Sequence, residues 1–131
     1  MNRSRNLPLL LLEPSALLRQ TVALTAISIG AGSVWQASNV REAQELLLAR
    51  QFAGAVVAVD EDEGSTDGVL QLIEAIRGGK LASAADMPVY VLASACSRAL
   101  LEKLHPLEVQ RVLIKPFKAR LLIEALSSIS S

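Results

Sequence analysis

The chain has 131 residues, 51% of them hydrophobic and 20% charged, which is enough for one domain with a real core and too apolar for a disordered chain. Thirteen basic residues balance thirteen acidic ones, so the net charge is zero and no general field is available to hold a nucleic-acid backbone. One cysteine (Cys96) excludes an internal disulfide framework and a multi-cysteine zinc site, one histidine (His105) argues against a histidine-based metal centre or a Ser-His-Asp triad, and 3% aromatic residues offer no base-stacking platform.

Leu7 to Leu12 is a continuous apolar run, the pattern of a strand buried on both faces. It is too short to cross a bilayer, and Glu13-Pro14 end it too early for a signal-peptide core, although Arg3 and Arg5 precede it. A cytoplasmic protein with no membrane contact is expected. Ser15 to Ile29 carries Leu17, Leu18, Val22, Leu24, Ala26 and Ile29 at close to helical spacing, and Gly30 and Gly32 stop it. Ser33 to Ala37 is a short strand. Asn39 with Glu42 forms a capping box opening a helix through Ala43, Leu46, Leu47 and Ala49 to about Arg50.

Phe52 to Val59 is a second strongly apolar strand, ending abruptly at Asp60 and an acidic loop to Asp67. A helix follows over about Gly68 to Arg77, with Val69, Leu72, Ile73 and Ile76 inward. Residues 80 to 87 read as a surface loop, Pro88 to Leu92 as a strand, Ser97 to Leu104 as a short helix and Val109 to Ile114 as a fifth strand. Lys115-Pro116-Phe117 and a last helix through Leu121, Leu122, Ile123 and Leu126 complete the chain. Residues 127–131 read as a frayed tail or the start of a linker, outside a core of about 7–126.

Five β-α repeats demand parallel strands and right-handed crossovers. The expected fold is a single (βα)5 domain over 1–131, an open doubly wound sheet with helices on both faces. Ligands of such sheets sit beyond the carboxyl ends of the strands, at the switch point of strand order. In the order 2-1-3-4-5 the strand-end residues are Glu13, Asp60, Ala93 with Ser94, and Lys115. Two acids and a lysine then converge on one crevice.

This constellation resembles the receiver domain of two-component response regulators, the CheY-like family, over about Leu7 to Leu126. Asp60 stands at the end of strand three, Asp67-Gly68 follow at the family's spacing, Lys115-Pro116-Phe117 ends strand five, and Arg19 falls where the first helix commonly carries an arginine. The resemblance implies that Asp60 is the phosphoacceptor and that Lys115 pairs with the phosphoryl group. It implies Mg²⁺ held by Glu13, by Asp60 and by the backbone carbonyl of Asp62. It further implies a Lys115-Pro116 bond that is often cis, a partner histidine kinase or phosphotransfer protein, and output to a protein partner or a homodimer through the helix 4–strand 5–helix 5 face. No direct nucleic-acid contact and no enzymatic turnover beyond slow self-phosphorylation and dephosphorylation are expected.

The departures are specific. Pro14 stands where the family has a second acid, which weakens the metal site. The switch hydroxyl aligns with Ala93, leaving Ser94 as a candidate substitute only if the register shifts by one. The strand-five aromatic aligns with Val112, and the usual loop proline is replaced by Gly64. The alternative is therefore a phosphorylation-independent pseudo-receiver acting as an interaction or dimerisation module. A third reading is a phosphohydrolase or a flavin-binding flavodoxin-like protein; the first is disfavoured because Asp62, at the spacing of a second catalytic acid, lacks a suitable apolar-flanked motif, the second because no Ser/Thr-rich loop to cradle a flavin phosphate follows strand one. Cys96 is read as structural, His105 as a surface residue and Trp35 as packing.

Overall fold

The four leucines of the first strand are each at most 2% exposed, and this sets the architecture. A strand with both faces apolar must be covered by helices on both sides. The computed structural model describes residues 7–60 and 66–130. Its elements are β1 (Leu9–Leu12), α1 (Ala16–Ser28), β2 (Val34–Ala37), α2 (Val40–Ala49), β3 (Gly54–Ala58), α3 (Thr66–Arg77), β4 (Val89–Ala93), α4 (Arg98–Leu104), a 3-10 turn (His105–Leu107), β5 (Arg111–Ile114) and α5 (Ala119–Ser130). The strands form one parallel sheet in the order β2-β1-β3-β4-β5, as expected.

Alternation along the central strands divides the core into two layers. Leu10, Leu12, Val57 and Val91 pack with Leu47, Ile73, Ile76 and Leu100 under α2, α3 and α4. Leu9, Leu11, Val56 and Leu92 pack with Val22, Ala26, Leu122 and Leu126 under α1 and α5. Each fully buried leucine contributes roughly 1.5–3 kcal/mol relative to exposure. All four inward positions expected on α3 are buried, with Leu70 besides.

The helices begin where their caps are. Ser15 and Ser97 accept from Leu18 N and Leu100 N. At α2 the Asn39 side chain accepts from Glu42 N at 2.9 Å, while the Glu42 carboxylate reaches back to Ser38 N and Oγ at 2.7 Å, one residue beyond the usual capping-box partner.

Four boundaries or faces differ from the sequence reading. Residues 127–130 are not a tail: α5 runs to Ser130, because Ile129 is 5% exposed and packs against the start of β3. α3 starts at Thr66, ahead of Gly68. On α1 the buried residues are Val22, Ala23 and Ala26, whereas Leu17 and Leu24 face outward, 78% and 58% exposed. The 3-10 turn between α4 and β5 shortens β5 to four residues. No helix among the described residues is long and apolar enough to cross a membrane.

Candidate functional site

Register brings four strand ends to one edge. Leu12 stands beside Val57, Ala58 beside Leu92 and Ala93 beside Ile114, so Glu13, Asp60, Ser94 and Lys115 all emerge at the carboxyl end of the sheet. The order 2-1-3-4-5 puts the reversal of direction between β1 and β3, where Glu13 and Asp60 lie.

Their side chains meet. The Lys115 ammonium lies 3.2 Å from Asp60 Oδ2 and 2.7 Å from Glu13 Oε1. The Glu13 side chain is 1% exposed, that of Asp60 11% and that of Lys115 17%. Glu13 Oε2 accepts the backbone N–H of Ser15 at 2.9 Å. Its Oε1 has the ammonium as counter-ion but no well-aligned donor. Arg19 donates to the carbonyl oxygen of Glu13 at 2.7 Å and fixes the turn that aims this carboxylate inward. The Lys115–Pro116 peptide bond is cis.

Ser94 completes the cluster. Its N–H and its hydroxyl both donate to Asp60 Oδ1, at 3.2 and 2.8 Å. No register shift is needed, contrary to the sequence reading. Ser94 is the first residue past β4, and leaving the strand turns both donors toward Asp60. Ala93 is fully buried and offers no hydroxyl, and Val112 is half-buried against the α2–α3–α4 core layer.

The electrostatics follow from this packing. Burial pushes the Asp60 carboxyl up, but the Ser94 hydroxyl and the Lys115 ammonium outweigh it, and the group sits below its ordinary value. Burial likewise opposes the charge on Lys115, yet Glu13 and then Asp60 hold its ammonium above the ordinary value. The Lys115 ammonium thus stands between the side chains of Glu13 and Asp60.

Of the expected metal ligands, Glu13 and Asp60 lie in the cluster, on either side of the Lys115 ammonium. The carbonyl assigned to Asp62 lies outside the described residues. Among those described, no group of three or more acidic, histidine or cysteine side chains converges. Mg²⁺ requires oxygens at about 2.0–2.1 Å in an octahedron. The ammonium already stands 2.7 Å from Glu13 Oε1 and 3.2 Å from Asp60 Oδ2, so an ion bridging the two carboxylates would have to displace it. Among the described residues, these two carboxylates do not fit that group while the ammonium stands between them.

Cys96, expected to be structural, packs partly buried against the α2–α3–α4 core layer. Trp35 packs edge-on to Phe52 at 6.4 Å, with the Arg50 guanidinium 4.3 Å above its ring, in keeping with a packing role. His105 opens the 3-10 turn and is exposed. The residue that sequence reasoning missed is Arg77, at the end of α3. It donates to the carbonyls of Leu107 (2.7 Å), Met87 (2.7 Å), Ala85 (2.8 Å) and Glu108 (3.3 Å), tying the loop before β4 to the turn before β5. Nothing local in the sequence marks it, because every acceptor is a backbone atom.

The chain is similar to solved receiver domains over nearly its whole length. A signal receiver domain of a two-component histidine kinase from Clostridium thermocellum is 15% identical, with a TM-score of 0.80, covering 95% of this chain and 98% of that one. The chemotaxis protein CheY4 of Vibrio cholerae is 21% identical (TM-score 0.76, 95% and 98% covered), and a response regulator from Thermotoga maritima 24% (TM-score 0.74, 95% and 98% covered). No family model and no curated protein matches. The fold is that of response regulator receiver domains: five parallel strands in the order 2-1-3-4-5 with five helices.

Proposed function

We propose that the chain is a receiver module of two-component signalling, in which Asp60 takes a phosphoryl group from a phosphohistidine on a partner kinase or phosphotransfer protein. The observation that supports this reading most is the convergence of a carboxylate, an ammonium and two further donors at the switch point of the receiver fold. An Asp60 oxygen attacks phosphorus, the P–N bond of the donor breaks, and an acyl phosphate forms. Lys115 neutralises charge on the transferring group, and the Ser94 N–H and hydroxyl, now on Oδ1, are placed to donate to its oxygens. Output passes through the α4–β5–α5 side, where Leu101, Ile114 and Ile123 are 50%, 44% and 38% exposed and an open groove of about 730 Å³ runs beside Leu101, Leu104 and Val112. A protein partner or a second copy would bind there; turnover beyond slow self-phosphorylation and dephosphorylation is not part of the reading.

Intact-mass measurement after incubation with a small phosphodonor tests it. The expected result is one added phosphoryl group in the wild type and none in Asp60→Asn. No addition under saturating donor removes the acceptor role. In that event the phosphorylation-independent module stands instead, a reading favoured by Ala93 and Val112 in place of the switch hydroxyl and aromatic. It predicts that Asp60→Asn leaves partner binding unchanged.

A further inference from the structure

Glu13 is almost fully buried, and its two oxygens face a backbone N–H and the Lys115 ammonium. Pro14 follows it and is exposed, with no side-chain donor. Asp60 divides its oxygens in the same manner, one toward Ser94 and one toward the same ammonium. Every carboxylate oxygen in the cluster thus has a cationic or hydrogen-bonding neighbour from the chain itself.

We propose that Glu13 is the anchor of Lys115 and not a metal ligand, so that the ammonium is the resident countercharge of Asp60 and the site works without Mg²⁺. This rests on the receiver reading and deepens it by stating what the site does not require. Glu13 is a positioning residue. It acts through Lys115, which it holds over the sheet edge from β1 while Asp60 receives the same ammonium from β3. A second ammonium contact in place of a metal ligand gives both acids a countercharge without a solute ion.

The decisive experiment is a magnesium titration of the whole chain, read by thermal unfolding and by amide chemical shifts of Glu13, Ser94 and Lys115, with matched ionic strength. An ion that binds the folded state must raise its melting temperature and give saturable shifts. The wild type is expected to show neither at millimolar Mg²⁺. Lys115→Ala, which leaves the two carboxylates without their cation, is expected to be less stable and to recover part of the loss on adding Mg²⁺. Adding Glu13→Gln to that variant is expected to abolish the recovery. A saturable millimolar response in the wild type that Glu13→Gln removes overturns the proposal. If Lys115→Ala does not fold, the wild-type titration alone still decides. Phosphoryl uptake is measured separately with Mg²⁺ and with chelator, and equal uptake is expected. Uptake in neither buffer counts against the acceptor role, whereas uptake only with Mg²⁺ counts against metal independence.

Discussion

Replacing Lys115 by methionine keeps the aliphatic stem and removes the charge from between two acids. Glu13 is 1% exposed and Asp60 11%, so water cannot substitute for the ammonium without opening the site. Breaking a buried ion pair by removing one partner typically costs about 3–5 kcal/mol. Ser94 and the Ser15 N–H still hold one oxygen of each acid, which places the expectation at the lower end, about 3 kcal/mol at pH 7. For a chain of this length that corresponds to a fall in melting temperature of roughly 10 °C. Calorimetry on Lys115→Met and the wild type gives the difference, and repeating it near pH 5 supplies the internal control. Without the ammonium the Asp60 carboxyl takes up a proton more readily as pH falls, so the deficit should narrow. A variant within about 0.5 kcal/mol of the wild type at pH 7, the ordinary range for a surface substitution, would refute the view that the ammonium holds the cluster together.

Arg77→Met should destabilise by about 2–4 kcal/mol, because it strips charged donors from carbonyls at 2.7–2.8 Å; Arg77→Lys should rescue little, since an ammonium cannot fork toward separate loops, and urea denaturation compares the three. Gly54→Ala places a Cβ 2.5 Å from Ile129 Cγ2 and 3.1 Å from the Pro88 carbonyl oxygen, so a loss of about 1–3 kcal/mol is expected. Ile129→Ala in the same chain should make the pair less than additive in a double-mutant cycle. The pH dependence has a fixed sign: Asp60 is depressed in the fold, so its contribution is full above its ordinary value of 3.8 and is lost as pH falls through the lower folded value. Lys115 is raised, so its contribution is full below its ordinary value of 10.5 and is lost as pH rises through the higher folded one. Asp60→Asn should flatten the acid limb and, because Asp60 also helps hold the Lys115 ammonium, shrink the alkaline limb in part, in melts recorded across that range.

The central strands were legible because burial on both faces leaves no room for polar residues, so β1, β3 and β4 stand out as unbroken apolar runs. The strand-end logic then located Glu13, Asp60 and Lys115, which do meet. What the sequence hid depends on distance in the fold. The 3-10 turn at His105–Leu107 packs on Leu107 and is tied by Arg77, thirty residues earlier, so its local pattern carries no signal. Strand register admits Ser94 to the site only through a one-residue shift, yet the chain has already left β4 there and turns both of its donors toward Asp60. Strand ends bring Glu13 and Lys115 to one crevice but do not show them as an ion pair: β1 and β5 are separated by two strands, and only the reach of the lysine joins them. Leu17 and Leu24 misled because α1 buries its small residues, Ala23 and Ala26, beside Val22.

The acceptor role is tested most directly by locating the phosphoryl group. Chain treated with a small phosphodonor is reduced with labelled borohydride, which traps an acyl phosphate at its own residue, and the peptides are then sequenced. Label confined to position 60 is the expected result; label on another acid, or none in chain that has stayed folded, would contradict it.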